Sequence, residues 1–236
     1  MTPITESASL AGLCERLAKE DFVTVDTEFM RERTYWSQLC LIQLAGENEN
    51  AAIDPLAEGI DLFPVFELMA DPSILKVFHA ARQDLEIFFK LMDEVPHPVF
   101  DTQVAAMVCG FGDQIGYEAI VRKIAGKQVD KDSRFTDWSR RPLSEKQVTY
   151  ALADVTHLRT VYESLAATLE QNGRTAWIEE EMKVLTSAGT YRVEFDQVWQ
   201  RMKIKGRKPR QMAVLREIAA WREETAQRKD VPRNRV

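Results

Sequence analysis

The chain of 236 residues is 45% hydrophobic and 29% charged, with 10 Gly and 9 Pro, a balance that excludes disordered, collagen-like and low-complexity classes. At roughly 150 residues per domain, the length predicts one full domain plus an extra piece. The net charge of −6 is unevenly spread: residues 200–236 hold 12 Lys and Arg against 4 Asp and Glu, which puts the first 199 residues near −14 and the tail near +8. Such a split fits an acidic body carrying a basic contact for a polyanion, and equally a solvated basic helix.

The opening residues lack the basic and apolar regions of a secretory leader. No apolar run approaches the roughly 18 residues of a membrane span. Cys14, Cys40 and Cys109 are scattered and form neither a zinc nor a disulfide pattern, so a cytoplasmic chain with no membrane partner is expected. Residues 22–29, 39–45 and 51–53 gather β-branched and aromatic residues in short runs and predict three consecutive strands. Residues 62–69 predict a helix and 75–79 a buried strand, after which Leu85, Phe88, Phe89 and Met92 recur at helical spacing. Val99 and Phe100 predict a short strand, followed by a helix capped by Asp101 or Thr102. Further helices are predicted at 116–125, 144–171 with Ser144 as N-cap, 175–187 and 195–202. Strands, then alternation, then helices alone predict one α/β domain over 1–202, a mixed sheet with helices on its faces. Residues 203–210 are basic, carry Gly206 and Pro209, and predict a linker. A final amphipathic helix is predicted within 211–236 from Met212, Leu215, Ile218, Ala219 and Trp221.

Two carboxylates inside an apolar strand are costly to bury unless paired, protonated or bound to a cation. Asp26 and Glu28 stand two apart in VDTEF (25–29) and share one strand face, while Val25, Thr27 and Phe29 face the other. That arrangement suits an oxygen-rich divalent metal site, though two acids at a solvated strand end would read the same. Asp84 falls in the first turn of a helix, where the dipole already favours a carboxylate. Tyr150 and Asp154 are four apart on a helix and so stack on one face, a spacing that chance also produces. The four acids together have the composition to hold two Mg²⁺ or Mn²⁺ ions about 3.5–4 Å apart, as in-line attack on a phosphodiester requires. His79, His97 and His157 form no ligand pattern, and His79 reads as a structural residue beside the site.

VDTEF, HAARQDLEIF (79–88) and YALADV (150–155), in this order, resemble the three exonuclease motifs of the DEDD superfamily. Tyr150 fits the tyrosine branch, whereas Thr149 stands where the histidine branch has His. LCLIQL (39–44), FDTQVAA (100–106) and DWSRRPLSEKQVTYALADV (137–155) are further similar to the ribonuclease D family, a likeness covering roughly 20–200. The resemblance implies a ribonuclease H-like mixed sheet with flanking helices and two divalent metal ions. It implies that Asp26 bridges both ions, that Glu28 and Asp154 complete the site that activates water, that Asp84 supports the second ion through waters, and that Tyr150 orients the attacking water. The implied activity is hydrolysis of RNA from the 3′ end, on tRNA precursors and single-stranded 3′ ends. The alternatives are a relative acting on DNA 3′ ends and an RNA-binding module on a catalytically weak nuclease scaffold.

Phe29 and Met30, directly after the acidic pair, are placed either to wedge terminal bases or to pack. Arg134, Arg140 and Arg141 surround Trp138 and offer phosphate contacts, or form a solvated loop around one anchored aromatic. The tail KPRQMAVLREIAAWREETAQRKDVPRNRV (208–236) resembles the first helix of an HRDC domain, which implies a truncated RNA-binding module over 211–236.

Overall fold

The computed structural model describes residues 2–130, 133, 136–202 and 208–236. Among these, a sheet forms from β1 (Phe22–Met30), β2 (Gln38–Ala45), β3 (Asn50–Ile53), β4 (Leu75–Phe78) and β5 (Val99–Asp101), in the order β3-β2-β1-β4-β5. β1 pairs antiparallel with β2 and parallel with β4, so the early hairpins and the later crossovers join into one mixed sheet. Leu39 to Ala45 of β2 are all buried, because helices cover both faces.

The helices are α1 (Ser7–Leu17), α2 (Phe63–Ala70), α3 (Arg82–Met92), α4 (Thr102–Val108), α5 (Tyr117–Ile124), α6 (Glu145–Gln171), α7 (Thr175–Leu185) and α8 (Pro209–Lys229). The first was not expected from the sequence, although Leu10, Leu13, Cys14 and Leu17 recur at helical spacing and are buried. As expected, Asp101 caps α4 by accepting from Gln103 N, and Ser144 opens α6 in a capping box with Gln147. The expected helix at 195–202 is instead a 3₁₀ segment, Phe195–Arg201. No helix of the described residues is long and apolar enough to cross a membrane.

Helix α6 lies across the sheet and is bolted to its central strand. Thr24 Oγ1 donates to Val155 O at 2.8 Å, and the Arg159 guanidinium sits 4.0 Å from the Phe22 ring centre. Between Glu28 and Phe29 the ladder slips by one residue: Glu28 pairs with Leu41, Phe29 with Leu39, and Cys40 is left over as a bulge. The Cys40 carbonyl accepts from Arg141 Nη2 at 2.6 Å, and the same guanidinium holds Asp54 through Nε (2.5 Å) and Nη2 (2.6 Å).

The tail folds back onto the body. Helix α8 starts at Pro209, inside the stretch expected as linker, of which 203–207 lie outside the described residues. Asp230 Oδ1 accepts from Tyr35 N and Trp36 N at 3.0 Å each. The Tyr35 hydroxyl donates to Glu223, which also receives Arg233 Nε at 2.7 Å. The loop after β1 is thereby held by residues nearly two hundred positions away.

Candidate active site

Strand pleating sets the site. Thr24 points at α6, so Asp26, two residues on, points the same way, toward the part of α6 that carries Asp154. Carboxylate oxygens of Asp26, Glu28 and Asp154 all lie within 4.8 Å of one another. Tyr150, one helical turn before Asp154, and Asp84, in the first turn of α3, line the same cavity of about 610 Å³. The structure thus brings all five sequence-selected residues to one pocket, with Asp84 outside the tight trio.

Asp84 is 7% exposed and is held by Thr27, whose Oγ1 donates to its Oδ1 at 2.5 Å. The expected alternation set Thr27 aside as facing away; it serves the pocket from its other wall. Loss of solvent pushes the Asp26 carboxyl up to about 6, and burial, reinforced by the charge of Asp26, raises Asp84 as well. Burial also raises the Tyr150 phenol, helped by the neighbouring Asp154, so it stays protonated as a donor. An acidic group of this density is eased by cations, and a donor set of carboxylate oxygens without Cys or His suits a hard divalent ion.

A second layer holds the rim, of which the sequence pointed to His79 but not to Tyr117. The Tyr117 hydroxyl donates to the backbone carbonyl of Asp154, and its ring meets His79 edge-on at 5.5 Å. His79 is fixed by Thr102 Oγ1 (2.9 Å) and Ile115 O (3.1 Å), and burial lowers its pKa, as befits a structural residue. A Tyr opening a helix after Gly116 gave no signal of this reach, because the contact joins residues 37 apart.

Of the candidate substrate contacts, Phe29 lines the pocket. Met30 does not; it packs, half-buried, against the small cluster of Cys40, Leu41 and Trp138. Trp138 is 2% exposed and lies 6.1 Å behind the Tyr150 ring, so packing corrects its reading as a substrate contact. Arg141 is likewise corrected: its donors serve Asp54, Cys40 O and Trp138 O, leaving no fork for a phosphate. Arg140 is exposed beside Asp137 (3.2 Å) and away from the cavity lining, and Arg134 lies outside the described residues.

A family model described as 3′-5′ exonuclease matches residues 1–170. The chain is 55% identical to the ribonuclease D of Granulibacter bethesdensis over 235 residues, all of this chain and 60% of that protein. It is 56% identical to that of Jannaschia sp. over 99% of this chain and 61% of the relative. The chain therefore spans about 60% of the length of the curated relatives it matches. The crystal structure of Escherichia coli RNase D, an exoribonuclease involved in structured RNA processing, superposes with a TM-score of 0.89 at 35% identity, covering 99% of this chain and 63% of that one. Brucella melitensis NrnC with bound Mg²⁺ superposes at 0.66 with 26% identity, over 81% of this chain and 92% of the other. Matched by that model over well more than half its length, and folded around one acidic pocket, the chain belongs to the 3′-5′ exonuclease family.

Proposed function

We propose that this chain is the catalytic part of a metal-dependent exoribonuclease that removes nucleotides from RNA 3′ ends by hydrolysis. The observation that carries the reading is the convergence of Asp26, Glu28 and Asp154 within 4.8 Å, with Tyr150 and Asp84 on the same cavity. The ribonuclease D relatives support RNA as substrate, and NrnC with bound Mg²⁺ supports a divalent cation. Precursor tRNAs and other single-stranded 3′ ends in the cytoplasm are the substrates proposed.

Asp26, Glu28 and Asp154 would hold one cation, and Asp26 with Asp84 the side of a second. Bound there, two divalent ions would supply the charge that activates water and stabilises the departing 3′ oxygen. The protonated Tyr150 hydroxyl, backed by Trp138, orients the attacking water. Thr27 keeps Asp84 turned into the pocket, and Tyr117 fixes the helix backbone at Asp154. Phe29 offers the terminal base an apolar wall, which selects for stacking rather than sequence. The tail, read as the start of an HRDC module over 211–236, adds to RNA binding in this proposal.

Defined 5′-labelled RNA and DNA strands, incubated with Mg²⁺, Mn²⁺ or EDTA, test it. RNA should shorten stepwise from its 3′ end with metal and not in EDTA. Internal cuts, equal preference for DNA, or no shortening with either ion would overturn the reading.

A further inference from the structure

Beyond Gln83 lies a second cleft of about 250 Å³, where Arg31, Arg82, Arg192, Arg201 and Arg233 face one carboxylate, Glu86. Glu86 holds Arg31 at 2.8 Å and Glu223 holds Arg233 at 2.6 Å. Arg82, Arg192 and Arg201 have no ion-pair partner among the described residues. These arginines come from the loop after β1, from α3, from the turn before the 3₁₀ segment, from that segment itself, and from the tail. No single helix face gathers them, so the concentration of charge is a product of the fold. Like charges brought together this way repel, and an anion placed among them relieves the repulsion.

The cleft adjoins the acidic pocket. Gln83 lines both, flanked by Arg82 and Asp84 in the first turn of α3. A polyanion is repelled by the carboxylates until cations bind and is drawn to the arginines beside them. Guanidinium forks also match phosphate oxygens two at a time. We propose that the arginine cleft grips a backbone phosphate of the RNA strand upstream of the 3′ terminus seated in the acidic pocket, a role that rests on the exonuclease reading above. The tail builds part of the grip: Arg233 lies 4.7 Å from the Tyr35 ring centre, and both line the cleft. Docking of α8 is therefore a condition for holding the strand.

The test is the double variant Arg192→Ala, Arg201→Ala, both exposed in the structure, so the fold should stand. Anisotropy of a fluorescent RNA strand in EDTA, read across a salt series, isolates binding from catalysis. Affinity at physiological salt should fall about tenfold, and the slope of log K against log salt should flatten by about 0.7 for one lost phosphate contact. With Mg²⁺, KM for the long strand should rise by a similar factor at unchanged kcat, while a dinucleotide too short to reach the cleft is cleaved as by the parent. An unchanged salt slope, or equal loss on the dinucleotide, overturns the proposal. Inorganic phosphate separates a free-anion site: if it protects the parent against melting and not the variant, while the RNA slope stays the same, the strand assignment fails. A parent that cleaves neither substrate while the EDTA slope still responds would sink the exonuclease reading alone. Should the pair melt below the parent, Arg201→Gln must reproduce the changes at smaller size, and its failure to do so is equally decisive.

Discussion

The acidic pocket and the arginine cleft share Gln83 as a wall, yet they are built in opposite ways. The pocket takes its side chains from the middle of the central strand and from two helices packed on it, where Asp84 and Asp154 are 7% exposed. Its groups are fixed by the core, and their charges are strained. The cleft takes arginines, all exposed but the half-buried Arg31, from loops, the start of α3, a 3₁₀ segment and the tail, held by hydrogen bonds at its rim. On the proposed roles, chemistry would sit where the fold is hardest to deform, and capture where it can adjust.

If that division holds, the largest effects come from the pocket. Asp154→Asn should lower turnover by about 10³-fold or more, the scale of losing a positioned charge, with RNA affinity retained. Single-turnover rates beside binding isotherms check this, and a parallel loss of both would erase the contrast. Tyr150→Phe should cost about 10²-fold in kcat at constant KM, since one orienting donor goes and the carboxylates remain. A rate equal to the parent's would remove the phenol from the chemistry.

Strain predicts a stability effect of the next size. The Asp26 carboxyl titrates near 6 in the folded chain and near 3.8 when unfolded. Between those values the folded state holds more protons, so in EDTA stability should fall as pH rises from about 4 to 6. Asp26→Asn should flatten that decline and, at pH 7 in EDTA, melt a few degrees above the parent, roughly 3 °C for a chain of this size. Added Mg²⁺ or Mn²⁺ should reverse the order, because only the parent binds it well. Calorimetry in both conditions reads the result, and a variant melting lower in EDTA would mean Asp26 is stabilised by its neighbours.

The smallest effect belongs to the rim. Glu223→Gln should weaken tail docking by about 1 kcal/mol, since its carboxylate joins Tyr35 to a half-exposed Arg233. Amides of α8 should then exchange faster while those of β1 and β4 stay protected. Uniform acceleration across the sheet would show that the tail and core form one cooperative unit.

The same contrast explains what could be read from the sequence. Asp26 with Glu28, and Tyr150 with Asp154, are short-range spacings that a strand and a helix convert directly into shared faces. Asp84 became meaningful beside them. The five arginines span residues 31 to 233, so no local pattern connects them. Direction was equally hidden in DWSRRP: composition shows a basic aromatic loop, and only packing shows that Trp138 and Arg141 turn inward while Arg140 turns out. Helix α1 carried its periodicity in Leu10, Leu13 and Leu17, but its polar opening residues concealed it. The 3₁₀ segment at Phe195–Arg201 has helix-like spacing, and nothing in its residues separates that winding from an α-helix.

The single surplus residue at Cys40 has a consequence for how this active-site strand tolerates length changes. The surplus residue lies on β2, so it changes which faces Gln38 and Leu39 present, while Glu28 and Phe29 keep the alternation of β1 and both line the cavity. Deleting Cys40 would restore the regular ladder, turn Gln38 and Leu39 to the opposite faces, and remove the carbonyl that accepts from Arg141 Nη2. An insertion elsewhere in β2 would likewise move the residues beyond it to the opposite face. This strand pair therefore accepts substitutions far more readily than insertions or deletions.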